Sequence, residues 1–596
     1  MRTRQSAGIS LLALTPVGSP PAPWLRIAGP VLDRLLGIRA LDSLYRQHRL
    51  QSLPPLEFAS RTLEILGISV STTPADWSEY VPARGPLLIV CNHPFGGVEA
   101  LALARELKAI RTDIKFLANA ALKVFSELHP LFIATNPLKT SHANQASIRH
   151  CQTHLRDGGV LVLFPAGRVS FQQHHKARIA DGQWHRMVGH LAKTTGATLL
   201  PVFFHGANSR LFHVMGRVWD RSKLLMLPRE FLKLRGRRIR FNVGRPLPPP
   251  LWQHMNAPEL TAYARVMTYL AQDMDCGETP ANDAGTPAAE LAPYGDRTAI
   301  CNELDTLPAR QKLLDFKQFS VFYAMSAQIP TLMRDIARER ERVFRLYDEG
   351  SGQARDTDGY DRSYVQLFVW DRDTQSLVGA YRMGRTDLLK QQYGPAGNYL
   401  AQMFDFDMDF HDPAAAALEL GRSFVIPEHQ KSFYALYLLW QGIGHYLVAH
   451  PQYRRLYGTV SLSRLYDYRA VLSLCDALIE PSPHVRPKHR MLNTPHPEWR
   501  DYQAIKGRPD LKTLSAIVRG LDAGGRDIPV LLKHYHKIGA KFHCVGVDPN
   551  FNNTPGLLLS VDIASMTPKL VSTFLGKDAG AYLAYGAVHD NRGRPG

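Results

Sequence analysis

Long apolar runs are missing from this chain of 596 residues. No stretch of about 18 uncharged apolar residues occurs, so the sequence predicts no membrane-spanning helix. Cysteine is scarce as well. The six cysteines (Cys91, Cys151, Cys276, Cys301, Cys475, Cys544) form no C-x-x-C pair, which argues against a disulfide framework or a zinc site and for a reducing compartment. The short run Ile9 to Leu14 behind Arg2 and Arg4 is too brief for a signal-peptide core, and prolines follow it. There is no Gly-rich nucleotide fingerprint and no internal repeat. Acidic residues are sparse in one half only. Residues 1–280 hold 34 Lys and Arg against 18 Asp and Glu, whereas the remainder holds 37 against 35. The net charge of +18 is therefore +16 in the first half and +2 in the second, and the first half should prefer a polyanion. With 45% hydrophobic and 21% charged residues the chain is globular, and its length suggests two to four domains.

The stretch 276–297, rich in Gly, Pro, Ala and Asp, reads as a linker between a domain at 1–275 and another at 298–596. In the first domain, short apolar runs at 86–90, 114–118, 160–164, 199–204 and 239–243 alternate with helical spacing at 98–111 and 184–195. This pattern predicts an α/β sheet with helical cover and with chemistry in the loops after strand ends. Upstream, residues 24–49 carry apolar residues near one helical face, ringed by arginines. Such a helix either packs on its own domain or lies on a membrane surface. The second domain mixes helical stretches (329–347, 431–449) with strand-like runs (365–370, 377–381, 456–461), which predicts a compact α+β fold.

Behind the first run comes Cys91-Asn-His-Pro-Phe-Gly-Gly-Val-Glu-Ala100. His93 sits in a turn, and Glu99 follows as helical spacing begins. An acid there can orient imidazole through one ring nitrogen and leave the other to take a proton from an alcohol. Further strand ends run into Phe164-Pro-Ala-Gly-Arg-Val-Ser170 and Pro201-Val-Phe-Phe-His-Gly-Ala-Asn-Ser209. These blocks, in this order, resemble the glycerolipid acyltransferase family over roughly residues 80–250. The resemblance implies that His93 is the general base for an acceptor hydroxyl attacking an acyl thioester, with Glu99 as the orienting acid. It also implies that Asn92, Gly167 and Arg168 bind substrate. The acid stands one residue farther on than in the family and is Glu, and Ala166 replaces the acid of the second block. Those departures point to an acceptor that is not a phospholipid. Segment 221–245 holds nine Lys and Arg and one acid. It is either a solvated basic face or a dock for anionic lipid heads or an acidic carrier protein. No nucleic-acid recognition motif accompanies it.

The second half contains Arg338-Glu-Arg-Glu-Arg-Val-Phe344, Asp361-Arg-Ser-Tyr-Val-Gln-Leu-Phe-Val369, Leu418-Glu-Leu-Gly-Arg-Ser-Phe-Val425 and Leu456-Tyr-Gly-Thr-Val-Ser461. Taken alone, Glu419 and Arg422 read as a simple ion pair. Acidic Asp405 to Asp409 reads as a solvated turn or as a partner for a cationic acceptor. Together the blocks resemble the N-acyltransferases that make lyso-ornithine lipid, relatives of acyl-homoserine lactone synthases with the GNAT fold. The resemblance implies transfer of a 3-hydroxyacyl chain from acyl carrier protein to an amino acid. Glu419 would orient or deprotonate the amine, and Arg340 and Arg422 would bind substrate.

As a whole the chain resembles the bifunctional ornithine lipid synthase family. That resemblance implies an α/β glycerolipid acyltransferase-like domain fused to a GNAT-like α+β domain, with no cofactor or metal beyond acyl thioester co-substrates. The implied partners are acyl carrier protein, ornithine, lyso-ornithine lipid and an anionic membrane surface, with no nucleic acid. The implied place is the cytoplasm, peripheral on the inner face of a bacterial inner membrane. The alternatives are an acyltransferase pair acting on lysophospholipid and on glutamine or glycine, or a non-catalytic membrane-surface scaffold.

Overall fold

The structure is a computed structural model. It describes residues 23–51, 53–119, 125–135, 141–172, 178–218, 222–276, 288–407, 410, 416–491 and 493–590. The apolar run Ile9 to Leu14, Asp409, and residues 277–287 of the 276–297 linker lie outside these. The chain divides into two compact units. One comprises Met1–Gly277 with His496–Leu521, the other Glu278–Pro495 with Asp522–Gly596.

The first unit is built on a seven-stranded sheet. Its strands are β1 Ser69–Thr73, β2 Leu87–Cys91, β3 Ile114–Asn119, β4 Phe132–Thr135, β5 Val160–Leu163, β6 Thr198–His205 and β7 Arg238–Val243, in the order β1-β7-β6-β2-β5-β3-β4. The five central and outer strands from β6 to β4 are mutually parallel, and β7 runs antiparallel to β6. Central β2 reads LLIVC and is buried at every position, as a strand covered on both faces must be. The predicted runs are all strands of this sheet. Edge strands β1 and β4 were not visible in the sequence, because Ser-Val-Ser-Thr-Thr carries no apolar alternation. Since β2, β5 and β6 are parallel, the loops after Cys91, Leu163 and His205 leave the sheet at one end. That geometry puts the three quoted motifs side by side.

The predicted helix 24–49 is two helices, α1 Pro23–Leu35 and α2 Ile38–Gln47, broken at Gly37 with φ +76°. The break divides its apolar face. Ile38 is buried, whereas Val31 and Leu35 stay exposed.

Residues 496–521, assigned to the second domain by the sequence reading, fold with the first unit. Trp499 is fully buried, and the Tyr263 hydroxyl donates to the Ala516 carbonyl at 3.0 Å. Glu498, itself buried, pairs with Arg178 at 2.9 Å and with Arg265. Arg265 in turn donates to the carbonyls of Asp181 and Gly182. The inserted segment thus braces the loop that stands behind His93.

The second unit holds an eight-stranded sheet. Its strands are β8 Lys312–Phe316, β9 Phe319–Met325, β10 Val365–Asp371, β11 Ser376–Arg385, β12 Ala417–Val425, β13 Arg455–Ser461, β14 Lys541–Asp548 and β15 Thr554–Asp562. They run in the order β8-β9-β10-β11-β12-β13-β15-β14, antiparallel except for β12 and β13. That parallel pairing is short. It joins Ala417–Leu420 to Arg455–Gly458 and then stops, while each strand continues along its outer neighbour. The two strands therefore part beyond Leu420 and Gly458. Their facing edges there carry backbone groups that a bound extended chain could satisfy.

Removing the Glu498 carboxylate takes from the largely buried Arg265 its carboxylate partner and leaves Arg178 with Asp501 alone. Glu498→Ala should cost the first unit about 3 kcal/mol. Differential scanning calorimetry should show its transition lowered and that of the second unit unmoved. A variant melting like the wild type would contradict the bracing role.

Candidate active sites

In the first unit the turn after β2 is shaped by one carboxylate. Glu99 lies in the first turn of α3 (Val98–Leu107), with no exposed surface. It accepts backbone N–H bonds from Phe95 (2.7 Å), Gly96 (3.1 Å) and Gly97 (2.8 Å). Gly96 has φ +95°, and a Cβ there would lie 2.5 Å from Leu227, so only glycine fits the turn. The same Glu99 Oε1 stands 3.2 Å from His93 Nδ1. Burial pushes Glu99 toward the neutral acid, but His93 and the backbone donors outweigh it and hold the carboxyl below its usual range. Burial likewise pushes His93 down, and Glu99 more than offsets this, so the imidazole is the stronger base. With Nδ1 turned to Glu99, Nε2 points away from it and can receive a proton. The site residues His93 and Glu99 are thus brought together as the spacing suggested, the longer side chain of Glu spanning the extra residue.

The ring of Phe164 stacks on His93 at 4.3 Å, and Ser170 N–H donates to the His93 carbonyl at 2.8 Å. Gly167 (φ +63°) and Arg168 are exposed on this adjoining loop. Asn92 departs from its expected role in substrate binding. Its side-chain amide bonds both the N–H (2.6 Å) and the carbonyl (2.9 Å) of Phe204 on β6, and it is buried. It locks β2 to β6 at the mouth of the site.

Asp181, which the sequence reading missed, lies behind the turn without exposure. It accepts from His93 N–H (3.2 Å), Ser170 Oγ (2.5 Å) and Trp184 Nε1 (2.9 Å). The only signal for it is the Asp-Gly-x-Trp spelling at 181–184. Cys91 is fully buried, and burial with Glu99 and Asp181 nearby drives its thiol well above the ordinary value. A thiolate nucleophile is not available there, which favours direct transfer assisted by His93.

In the second unit a cluster of arginines and aspartates surrounds Glu419. Arg340, on the helix Pro330–Arg345, is completely buried. Its guanidinium forks onto Asp361 (3.0 and 2.8 Å), reaches the Asp356 carboxylate at 2.8 Å and bonds the Asp356 carbonyl. Arg382 on β11 pairs with Asp358 (2.5 Å) and Asp361 (3.1 Å) and lies among Tyr360, Tyr364 and Tyr399. Arg340, expected to bind substrate, therefore organises the cluster and shows no face to a ligand.

Arg422 does not pair with Glu419. It takes φ +48° at a bulge in β12, and its guanidinium lies 3.4 Å from Asp356 and 3.7 Å from Asp358, over the rings of Tyr399 and Phe551. The bulge puts Arg422 where the strands part. Next to it, a Cβ on Gly421 would meet nothing within 4 Å, so the apex of the divergence is open.

Glu419 itself is buried. Oε1 accepts from Leu400 N–H at 3.1 Å, and Oε2 has no hydrogen-bond partner. Burial, partly opposed by Arg382, pushes its carboxyl up to about 7. A group in that state can take a proton from an ammonium group. A second buried carboxyl, Glu349, is also pushed up to about 7 by burial. It accepts from Ser461 Oγ at 3.1 Å at the far end of β13, and no motif drew attention to it. Asp405 and Asp407, by contrast, are exposed on a two-stranded ribbon. Lys488 stands 3.6 Å from Asp405 and His484 2.8 Å from Asp407, so this acidic stretch is already answered by bases. Among the described residues no group of three His, Cys, Asp or Glu side chains is placed to hold a metal ion.

Comparison with known proteins agrees with this division. The profile of an acyltransferase family matches residues 30–277, and that of an acetyltransferase (GNAT) domain matches 340–441. A glycine N(alpha)-acyltransferase of Bacteroides thetaiotaomicron is 28% identical over 274 residues, covering 42% of this chain and 80% of that protein. A lyso-glycine lipid O-acyltransferase of Phocaeicola vulgatus is 27% identical over 205 residues, covering 33% and 67%. An L-ornithine N(alpha)-acyltransferase of Agrobacterium fabrum is 28% identical over 254 residues, covering 40% and 80%. The chain is an enzyme, an acyltransferase, with an α/β acyltransferase domain and a GNAT-like domain.

Glu419 is ionised only above about 7, so an amine-acylating rate that depends on it rises with pH through that region. The pH profile of amine-dependent thiol release should show this limb. Glu419→Gln should lose it along with about 10²- to 10⁴-fold in kcat. A profile in Glu419→Gln that keeps the wild-type limb would remove Glu419 from the chemistry.

Proposed function

We propose that this chain is a two-step amino-acid lipid synthase of the ornithine lipid type. The second unit joins a 3-hydroxyacyl chain, delivered as a thioester on acyl carrier protein, to the α-amine of ornithine. The amine attacks the thioester carbonyl, Glu419 takes the amine proton, and the carrier leaves as its thiol. The first unit then esterifies the hydroxyl of that lyso-lipid with a second acyl chain taken from a second acyl thioester, whose C–S bond breaks and whose thiol leaves. His93 Nε2 removes the hydroxyl proton, and Glu99 stabilises the imidazolium that results. An ester-forming second step needs a free hydroxyl, and neither the amine nor the carboxylate of the amino acid supplies one. This is why the first chain must bring it. The reading places the protein on the cytoplasmic face of the inner membrane, where the amphiphilic intermediate stays. In this reading Arg168, exposed on the loop that adjoins His93, meets the acceptor, and Arg422, at the parting of β12 and β13, meets the donor.

The observation that carries this reading is the pairing in one chain of two different bases. One is a histidine tuned by a buried acid, in the unit that the acyltransferase profile matches. The other is a buried carboxyl with one unpartnered oxygen, in the unit that the GNAT profile matches, and the chain is similar both to a lyso-lipid O-acyltransferase and to amino-acid N-acyltransferases. A second reading has glycine as the acceptor. Likeness to both a glycine N-acyltransferase and a lyso-glycine lipid O-acyltransferase favours it. So do Lys488, 3.6 Å from Asp405, and His484, 2.8 Å from Asp407, which compete with a cationic acceptor side chain for those acids.

Expression in a bacterial host without aminolipids, followed by lipid mass spectrometry, decides between these. The ornithine reading predicts a di-acylated ornithine lipid, its mono-acylated form alone in His93→Ala, and neither product in Glu419→Ala. A glycine lipid instead selects the second reading. Soluble protein with no new aminolipid overturns both.

A further inference from the structure

The first unit exposes large apolar side chains in one region. Among its described residues nine are exposed, and seven of those lie on three helices: α1, α4 (Arg210–Val218) and α5 (Ser222–Leu232). They are Val31 and Leu35, then Leu211, Val214 and Met215, then Leu224 and Leu225. Val31 and Leu35 stand four apart and Leu211, Val214 and Met215 three and four apart, so α1 and α4 each turn one apolar edge outward, and the adjacent Leu224 and Leu225 are exposed on α5. On α4 the inward edge holds Phe212, and on α5 it holds Met226.

α4 and α5 are neighbours, and the break between α1 and α2 meets α5. A Cβ on Gly37, at that break, would touch Leu232 and approach the Arg229 backbone of α5. One on Gly216 of α4 would touch the Lys223 side chain of α5. Glu230 of α5 accepts from both the backbone and the hydroxyl of Ser209, just before α4. The assembly also borders the His93 turn. Leu227 of α5 sits against Gly96, and Val169 of the Arg168 loop packs with Phe212 and Met226.

Exposed basic residues stand on the same helices and on the chain that follows α5. Arg34, Arg210 and Arg229 on these helices are exposed, and Arg235, Arg237 and Arg238 follow α5 into β7, also exposed. Of the acids on the three helices among the described side chains, Asp33 is partly covered, and Glu230 is buried and bonded by Lys233. Isolated exposed leucines are ordinary, but a cluster on adjoining helices beside exposed arginines marks an interaction surface.

We infer that the outer edges of α1, α4 and α5 form the face on which the first unit lies on an anionic bilayer, with the His93 turn at its border. The exposed aliphatic side chains of these helices match hydrocarbon at the depth of the head groups. The arginines beside them match lipid phosphates. An acceptor that is itself an amphiphile could then pass from the membrane to His93 without crossing water. This rests on the proposed O-acylation for its purpose but not for its test.

The test is sedimentation of the full chain with vesicles of phosphatidylglycerol or of phosphatidylcholine alone. The wild type should bind phosphatidylglycerol vesicles, and binding should weaken as salt rises. Val214→Glu with Leu224→Glu should reduce that binding at least tenfold, with an unchanged melting curve, since both side chains point to solvent. Arg210→Glu with Arg229→Glu should remove the preference for the anionic lipid. Vesicle binding that is equal in wild type and the apolar double variant overturns the inference. So does a double variant that binds vesicles normally but loses transfer from acyl carrier protein, or changes from dimer to monomer; those results would assign the face to the carrier or to a second copy. Loss of aminolipid synthesis with intact vesicle binding would count against the proposed function and not against this surface.

Discussion

A buried carboxylate needs donors, and much of this molecule is arranged to supply them. Glu99 has no contact with water, so its negative charge must be met by the three consecutive amides of residues 95–97 and by His93. Meeting it forces the chain after β2 into a turn that only Gly96 can make. The turn in turn fixes where the imidazole stands. Asn92 ties that strand end to β6, and Asp181 holds the His93 backbone from behind. Asp181 is braced by Arg265, which Glu498 steadies from a segment more than 230 residues away in the sequence. Without the first charge the other contacts have nothing to position.

The second unit solves the same problem with the opposite emphasis. Here arginines carry the burial cost, and Asp356, Asp358 and Asp361 answer them. With the arginines largely satisfied, Glu419 is left with an oxygen that nothing bonds and a carboxyl poised near neutrality. The two sites thus reach usable bases by different physics. A close acid strengthens the histidine as a base, whereas desolvation keeps the carboxyl protonated until about 7. A hydroxyl and an ammonium group make different demands on a base, and the two environments differ accordingly.

Much of this was legible in the residues. The five apolar runs of the first domain, the turn at Pro94 and Gly96, and the nearness of His93 to Glu99 follow from local pattern and from the way parallel strands collect their loops at one end. What escaped was set by distant partners. Asn92 and Arg340 carry the residue types of binding sites, yet Asn92 is taken up by Phe204, 112 residues on, and Arg340 by Asp356 and Asp361 beyond the end of its helix. Asp181, Glu349 and the inserted segment 496–521 have no local periodicity that marks them. The helix 24–49 was read as continuous because its apolar spacing crosses Gly37, and only packing against Leu232 shows why it breaks there. The +16 of the first half, at first a bare imbalance, gathers in part on and beside α1, α4 and α5.

The central claim is that two separate sites in one chain act in sequence through a released or shared lyso-lipid. The most direct measurement mixes purified His93→Ala and Glu419→Gln proteins with amino acid and acyl thioesters, and follows products by mass spectrometry. The account predicts that neither variant alone makes the di-acylated lipid and that the mixture does, because the lyso-lipid formed at Glu419 of one molecule is esterified at His93 of the other. Di-acylated product from either variant alone, or its absence from the mixture while the lyso-lipid accumulates, would contradict it.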